Sequence, residues 1–404
     1  MNMKIKTILA ALLVQAILNG CGGGGGGASA VAGGTPLVVA ASSYDNKNTT
    51  DPALNIPQIP EITTLTPSGH SIADSLAFGD FFQTGSYSAF VAVSQSGAMA
   101  KAYFLKKNPA GGWTDNTSTL LSDSDRSVCS NVVQALTADF NKDGKPDVYV
   151  VCGGNTAATH ILFLSQAVQS TYTRQETTGI NLQAWGAAAA DIDGDGDVDV
   201  VSTDGNSIVQ LTNNLSAGAV SWSKKTQSEM GITSLIDFPT MPRKVFLLPN
   251  VGGLADLVVT GNGNQVNNTM VWLKNQSGHF NFNGNSAVSS IADNYSMTGI
   301  DNQPIHASVF DLVVNSSNLF VLVKNTSVEN GSNATSMVVL RYELPSASPG
   351  TQLNLISSLA LPTTPYQPVG GLVSQFKPNS SGKFVAFDAD CVSTQQRCDF
   401  VVTP

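Results

Sequence analysis

The chain has 404 residues, 42% of them hydrophobic, which is enough to bury a sizeable core in two average domains or one large all-β domain. Only 12% are charged, and the net charge of -9 excludes the basic surface that nucleic acid or an anionic membrane would require, leaving cations as the better small partners. With polarity supplied mainly by Asn, Ser, Thr and Gly, the composition favours strands and turns over helices.

The chain opens "MNMKIKTILAALLVQAILNGC", where Lys4 and Lys6 precede an apolar run from Ile8 to Leu18, so residues 1–20 read as a signal peptide, too short for a stable membrane span. Leu18, Gly20 and Cys21 resemble a bacterial lipoprotein lipobox. That resemblance implies that Cys21 becomes the lipidated first residue of the mature protein and is its only attachment to a membrane. Gly22 rather than Asp after the cysteine resembles the pattern of outer-membrane sorting, with the protein facing the periplasm or the cell surface. Residues 21–34, the lipidated cysteine followed by Gly22 to Gly27 and "ASAVAGG", offer almost nothing to pack and form a flexible tether.

From residue 35 to 404 the sequence repeats itself. "TPLVVAAS" (35 to 42) is an early lone strand, and the Pro-rich "DPALNIPQIPEITTLTP" (51 to 67) reads as an extended connector. The first unit, "SLAFGDFFQTGSYSAFVAVS" (75 to 94), reads as a weaker copy that keeps the apolar strands and the turn but loses the acids. The second, "VVQALTADFNKDGKPDVYVVCGG" (132 to 154), aligns with the third, "AWGAAAADIDGDGDVDVVSTDG" (184 to 205): a small-residue strand, an acidic turn, then a Val-rich strand. Weaker copies that lose the acids follow at 243 to 263, 306 to 325 and 369 to 390. After "DVYVVCGG" come "THILFLSQ" and "YTRQETT"; after "DVDVVSTDG" come "SIVQLTNN" and "VSWSKKT", so a unit holds about four short strands at a spacing of roughly 50 to 65 residues. A four-stranded sheet cannot hide both faces alone, and stacking such sheets radially buries them while leaving only short edges. The predicted fold is therefore an all-β propeller of about six four-stranded blades, seven being the alternative count. The last unit is one strand short, with only "RCDFVVTP" left, and "TPLVVAAS" is predicted to supply the missing strand and close the ring.

Besides Cys21 there are four cysteines, Cys129, Cys152, Cys391 and Cys398, and an even number in an exported chain suggests two disulfides. Each neighbouring pair flanks one hairpin, so the expected pairing is Cys129 with Cys152 and Cys391 with Cys398.

The acidic turns carry the chemistry. Asp191, Asp193, Asp195 and Asp199 occupy the first, third, fifth and ninth positions of a loop with Gly196 at the sixth; Asp139, Asn141, Asp143 and Asp147 match them, with Gly144 at the sixth. Alternating oxygen ligands are how calcium is held, and the seventh position, Lys145 in one loop and Asp197 in the other, commonly adds its backbone carbonyl. Without a cation, carboxylates about 4 Å apart repel by roughly 1 to 4 kcal/mol. Two calcium ions are expected, with a structural role. In the last unit Asp388, Asp390 and Asp399 form an irregular third candidate, for which a disulfide-clamped loop is the plainer reading. The two regular loops are not EF-hands, since the twelfth position is Val150 or Ser202 and strands follow. They resemble the Asp-x-Asp-x-Asp-Gly-x-x-Asp loops of the FG-GAP or VCBS repeat family of integrin-type β-propellers.

The histidines, His70, His160, His279 and His306, are scattered and lie in no catalytic motif, and Asn48, Asn116 and Asn275 read as turn formers. The family resemblance implies adhesion: a non-catalytic, surface-anchored module presenting loops to an extracellular protein or glycan. A polysaccharide-acting enzyme on the same scaffold and an envelope-assembly scaffold are the alternatives.

Overall fold

The computed structural model describes residues 38–40, 76–85, 88–93, 99–107, 113–166, 171–233, 242–248, 254–261, 270–280, 307–315, 318–329, 332–343, 354–360, 372–374, 384–388 and 398–403. Expectations for Cys21, the tether, Asp390 and Cys391 lie outside the described residues.

Strand β1 (Val38–Ala40) stands alone at the start of the chain. The first sheet runs β2 (Leu76–Gly79), β3 (Ser88–Val93), β4 (Lys101–Lys107), β5 (Trp113–Asp115), and the second β6 (Val132–Ala138), β7 (Asp147–Cys152), β8 (Ala158–Ser165), β9 (Tyr172–Leu182). A third follows as β10 (Ala187–Ala190), β11 (Asp199–Asp204), β12 (Ser207–Asn213), β13 (Trp222–Thr226). The fourth holds β14 (Pro242–Leu248), β15 (Asp256–Gly261) and β16 (Met270–Leu273), trailed by a small hairpin of β17 (Asn275–Gln276) and β18 (His279–Phe280). The fifth is β19 (Ala307–Asn315), β20 (Asn318–Glu329), β21 (Ser332–Glu343), β22 (Asn354–Ala360). The sixth takes β23 (Leu372–Ser374), β24 (Phe384–Asp388) and β25 (Cys398–Thr403) from the end of the chain and β1 from its start, in the order β1-β25-β24-β23. Within each sheet, neighbouring strands pair antiparallel.

The leading strands β2, β6, β10, β14, β19 and β23 contact one another in that order, so the sheets are blades set around an axis. The small-residue runs noted in the sequence are these inner strands. Ala187 to Ala190 form β10, and the adjoining Gly186 lies so close to the next blade that a Cβ there would meet Arg243 O and Lys244 Cα at 3.0 Å. Gln134 of β6 also accepts a hydrogen bond from Ala187 N at 2.9 Å, fixing one inner strand against the next.

Core residues fill the spaces between blades rather than the interior of any one of them. Between the first and second lie Phe81, Phe90, Phe104, Phe163 and Tyr172; Phe104 stacks on Tyr172 with ring centroids 4.7 Å apart. Between the second and third lie Phe140, Tyr149, Leu162 and Val200, and between the third and fourth Ile192, Val201, Ile208 and Val259. Strand geometry explains why the second strands β7 and β11 are buried along nearly their whole length. Side chains alternate across a sheet, so Val148 and Val150 of β7 enter one core while Tyr149 and Val151 enter the next, and Val200 and Val201 of β11 divide in the same way. Burying one such side chain contributes about 1.5–3 kcal/mol.

Cys129 and Cys152 are bonded, joining the segment before β6 to the end of β7 as their flanking positions suggested. In the chain-entropy account a loop of 23 residues closed this way contributes about 3 kcal/mol. Cys398 begins β25, paired across from Asp388, and Asp399 lies opposite Phe387.

Candidate metal centre

The two acidic sequences form the turns that join the first and second strands of their blades, β6 to β7 and β10 to β11. Both use one hydrogen-bond scheme. The first carboxylate closes the turn: Asp139 Oδ1 and Oδ2 accept from Asp143 N (3.1 Å) and Gly144 N (2.9 Å), and Asp191 Oδ2 accepts from Gly196 N (3.0 Å). The fifth accepts from the seventh backbone nitrogen, Lys145 N to Asp143 Oδ1 (2.9 Å) and Asp197 N to Asp195 Oδ1 (2.8 Å). At the sixth position Gly144 and Gly196 have φ of +81° and +86°, the left-handed region glycine enters at little cost.

The second residue of each loop is an apolar plug, Phe140 in one and Ile192 in the other, both fully buried between blades. Anchored there, the alternating acids gather above the blade edge. One ligand oxygen from each of Asp191, Asp193 and Asp195 lies within 4.8 Å of the others, and this is the group of three or more possible ligands found among the described residues. Three hard carboxylate donors at that spacing, with oxygen as their only donor atom, fit a calcium ion. In the sister loop Asn141 replaces the middle carboxylate and donates from Nδ2 to Ser165 O at 3.0 Å, while its Oδ1 accepts from Asp143 N at 3.1 Å.

The ninth acid takes a different position from the other acids of its loop. Asp147 and Asp199 are fully buried at the start of the second strands. Asp147 accepts from Phe140 N (2.7 Å), Ser165 N (2.7 Å) and Ser165 Oγ (2.6 Å), and Asp199 from Asn213 N (2.8 Å) and Gln210 Nε2 (3.3 Å), so both carboxylates tie the turn to the third strand. Burial raises Asp147 to about 6 and Asp199 to about 7, partly offset by those same hydrogen bonds. The seventh residues also diverge. The Asp197 side chain turns to Lys142 of the neighbouring loop, with Nζ to Oδ1 at 2.5 Å, and Lys145 Nζ donates to Gln166 O at 2.9 Å.

Two acids of this scheme escaped the sequence reading, which took the weaker copies to have lost theirs. Asp80 is the first residue of the corresponding turn in the first blade and accepts from Thr84 N (2.8 Å) and Gly85 N (2.7 Å); its signal was the glycine five residues on, as in both acidic loops. Asp256 is the ninth-position acid of the fourth blade, accepting from Asn275 N (2.9 Å) and Trp272 Nε1 (3.1 Å), and its signal was the Asp-Leu-Val-Val run beside Asp-Val-Tyr-Val-Val. Asn275 is also more than the turn former it was taken for. Its Oδ1 does accept from Gly278 N (2.9 Å), but its Nδ2 reaches back to Ile192 O of the preceding blade (2.8 Å), as Asn213 Nδ2 reaches Phe140 O (2.9 Å). His160 is fully buried, its Nδ1 is 2.8 Å from Tyr149 Oη, and burial lowers its pKa to about 4.

Radially stacked antiparallel sheets, completed in the sixth blade by a strand from the start of the chain and carrying acidic turns between first and second strands, define a β-propeller. Residues 139–202, spanning the two acidic loops and the strands between them, match the family model of the FG-GAP-like repeat. No curated protein matches the sequence. Among solved structures it is similar to an exo-1,5-α-L-arabinanase from a bovine ruminal metagenomic library, at 8% identity and TM-score 0.33 over 82% of this chain and 94% of that one. It is also similar to an α-L-arabinanase of Cellvibrio cellulosa, at 7% identity and TM-score 0.31 over 82% and 91%. A Bacteroides fragilis protein described as a 6-phosphogluconolactonase matches at 15% identity and TM-score 0.35, over 81% and 95%.

Proposed function

We propose that this chain is a non-catalytic binding module, stabilised by calcium in its acidic turns and held at the bacterial outer membrane through a lipid on Cys21, that presents its propeller loops to an extracellular protein or glycan. The observation that carries the metal part of this reading is the convergence of Asp191, Asp193 and Asp195 in a turn anchored by a buried plug. Asp191, Asp193 and Asp195 would hold one ion, and Asp139, Asn141 and Asp143 a second. Calcium supplies the positive charge that lets these oxygens share one small volume. At free calcium about 100 times Kd it adds about 2.7 kcal/mol to stability. The turns it would order are the connections on one end of the blades, where loops on a rigid scaffold are suited to recognition.

The binding part is tested by presenting the chain to an array of glycans and extracellular-matrix proteins, in calcium and in chelator. Calcium-dependent retention on one ligand class is the expected result. Silence across the array, alongside a calcium-dependent melt, would leave a calcium-stabilised propeller and remove the adhesion reading.

A further inference from the structure

The second acidic loop is faced by two lysines. Lys142, from the first loop on the neighbouring blade, sets its ammonium 2.5 Å from Asp197 Oδ1. It also lies over Gly196, where a Cβ would meet Nζ at 3.2 Å. Lys225, from the outer strand β13 of the same blade, brings its ammonium to 3.8 Å from Asp193 Oδ2. The carboxylates are partly covered, with side-chain exposures of 13% for Asp197 and 22% for Asp193, while Lys142 and Lys225 are 45% and 37% exposed, so solvent screens each pair from the lysine side.

We propose that Lys142 and Lys225 are tethered counter-cations of the second loop: they hold its carboxylates together when no metal is bound and oppose a divalent ion that enters. This rests on reading the loop as a calcium site. Two consequences follow from charge alone. A calcium ion among Asp191, Asp193 and Asp195 repels both ammonium groups, so the lysines lower the affinity of the loop despite its five aspartates. Loading also weakens the Lys142–Asp197 pair, which joins the second blade to the third, so occupancy of one turn is transmitted to its neighbour.

The test is a calorimetric calcium titration of the full chain at fixed ionic strength, with Asp193→Asn/Asp195→Asn identifying which binding step belongs to the second loop. In Lys142→Gln that step is expected to tighten about 3- to 10-fold, and further when Lys225→Gln is added. Because Lys142 lies between Asn141 and Asp143, the control is Lys225→Gln alone, in which the second-loop step should tighten while the first-loop step stays within about twofold of the wild type. Lys142→Arg, which keeps the charge, should retain the wild-type affinity, and Lys142→Gln should melt below the wild type in chelator because the tie between blades is gone. A second-loop step that is unmoved or weakened in Lys142→Gln overturns the counter-cation role while leaving the calcium site in place. If no wild-type step is abolished by Asp193→Asn/Asp195→Asn, the calcium reading fails and this proposal with it.

Discussion

At the scale of single residues, the least conspicuous side chains hold neighbouring blades together. Asn213 and Asn275 each donate a backbone hydrogen bond to the buried acid of their own blade and a side-chain hydrogen bond to the plug carbonyl of the blade before. Replacing either by Ala strands a buried carbonyl, and each variant should lose about 1–3 kcal/mol in a denaturant melt. A loss below about 0.5 kcal/mol in both would mean that the tie contributes nothing. His160 gives a pH signature. Its pKa is depressed from 6.5 to about 4, so the unfolded chain takes up a proton between those values that the folded chain refuses. Its contribution is complete above pH 6.5 and is lost as the pH falls towards 4, by about 3 kcal/mol. NMR of the imidazole should show it neutral until about pH 4, and titration near 6.5 would contradict its burial. These residues were hard to read from the sequence for a physical reason. The loop pattern makes Asp147 and Asp199 look like any other member of an alternating acid series, and only the return of the third strand, with Ser165 or Asn213 at its end, takes them out of solvent.

At the scale of elements, the strands were legible because each blade has a neighbour on both sides. That buries Asp147–Cys152 and Asp199–Asp204 almost without a break rather than at alternate positions, and the turn glycines punctuate them. The repeat also revealed the missing strand, since a last unit with one strand too few requires a donor. β1 fills the place by pairing Val38, Val39 and Ala40 with Thr403, Val402 and Val401. Deleting residues 35–42 exposes the edge of β25 and removes the contact between the two ends of the chain. The variant should melt at least about 5 °C lower and associate through the bared edge. An unchanged melt with a monomeric profile would show that the ring holds without its closing strand. The fifth blade differs from what the repeat alone suggests: β20 and β21 remain paired out to Glu329 and Ser332, well beyond the reach of β19 and β22. Nothing in the repeat period signals that extension, because polar residues such as those from Thr326 to Thr335 read equally well as a loop.

At the scale of the whole molecule, the cores lie between blades, so stability depends on how blades are registered against each other, and the acidic turns stand where that registration is set. Phe140 and Ile192 plug the cores from within the loops, their carbonyls hold the next blade, and Lys142 and Asp197 join one loop to the next. A cation bound in these turns would therefore stabilise the ring and not merely the turn. The direct test is the melting temperature of the chain in millimolar calcium and in chelator, for the wild type and for Asp193→Asn/Asp195→Asn. In calcium the wild-type melt is expected to rise by several degrees, about 2.7 kcal/mol at 100 times Kd, with most of that increment missing from the double variant. A double variant as responsive to calcium as the wild type would contradict the calcium reading.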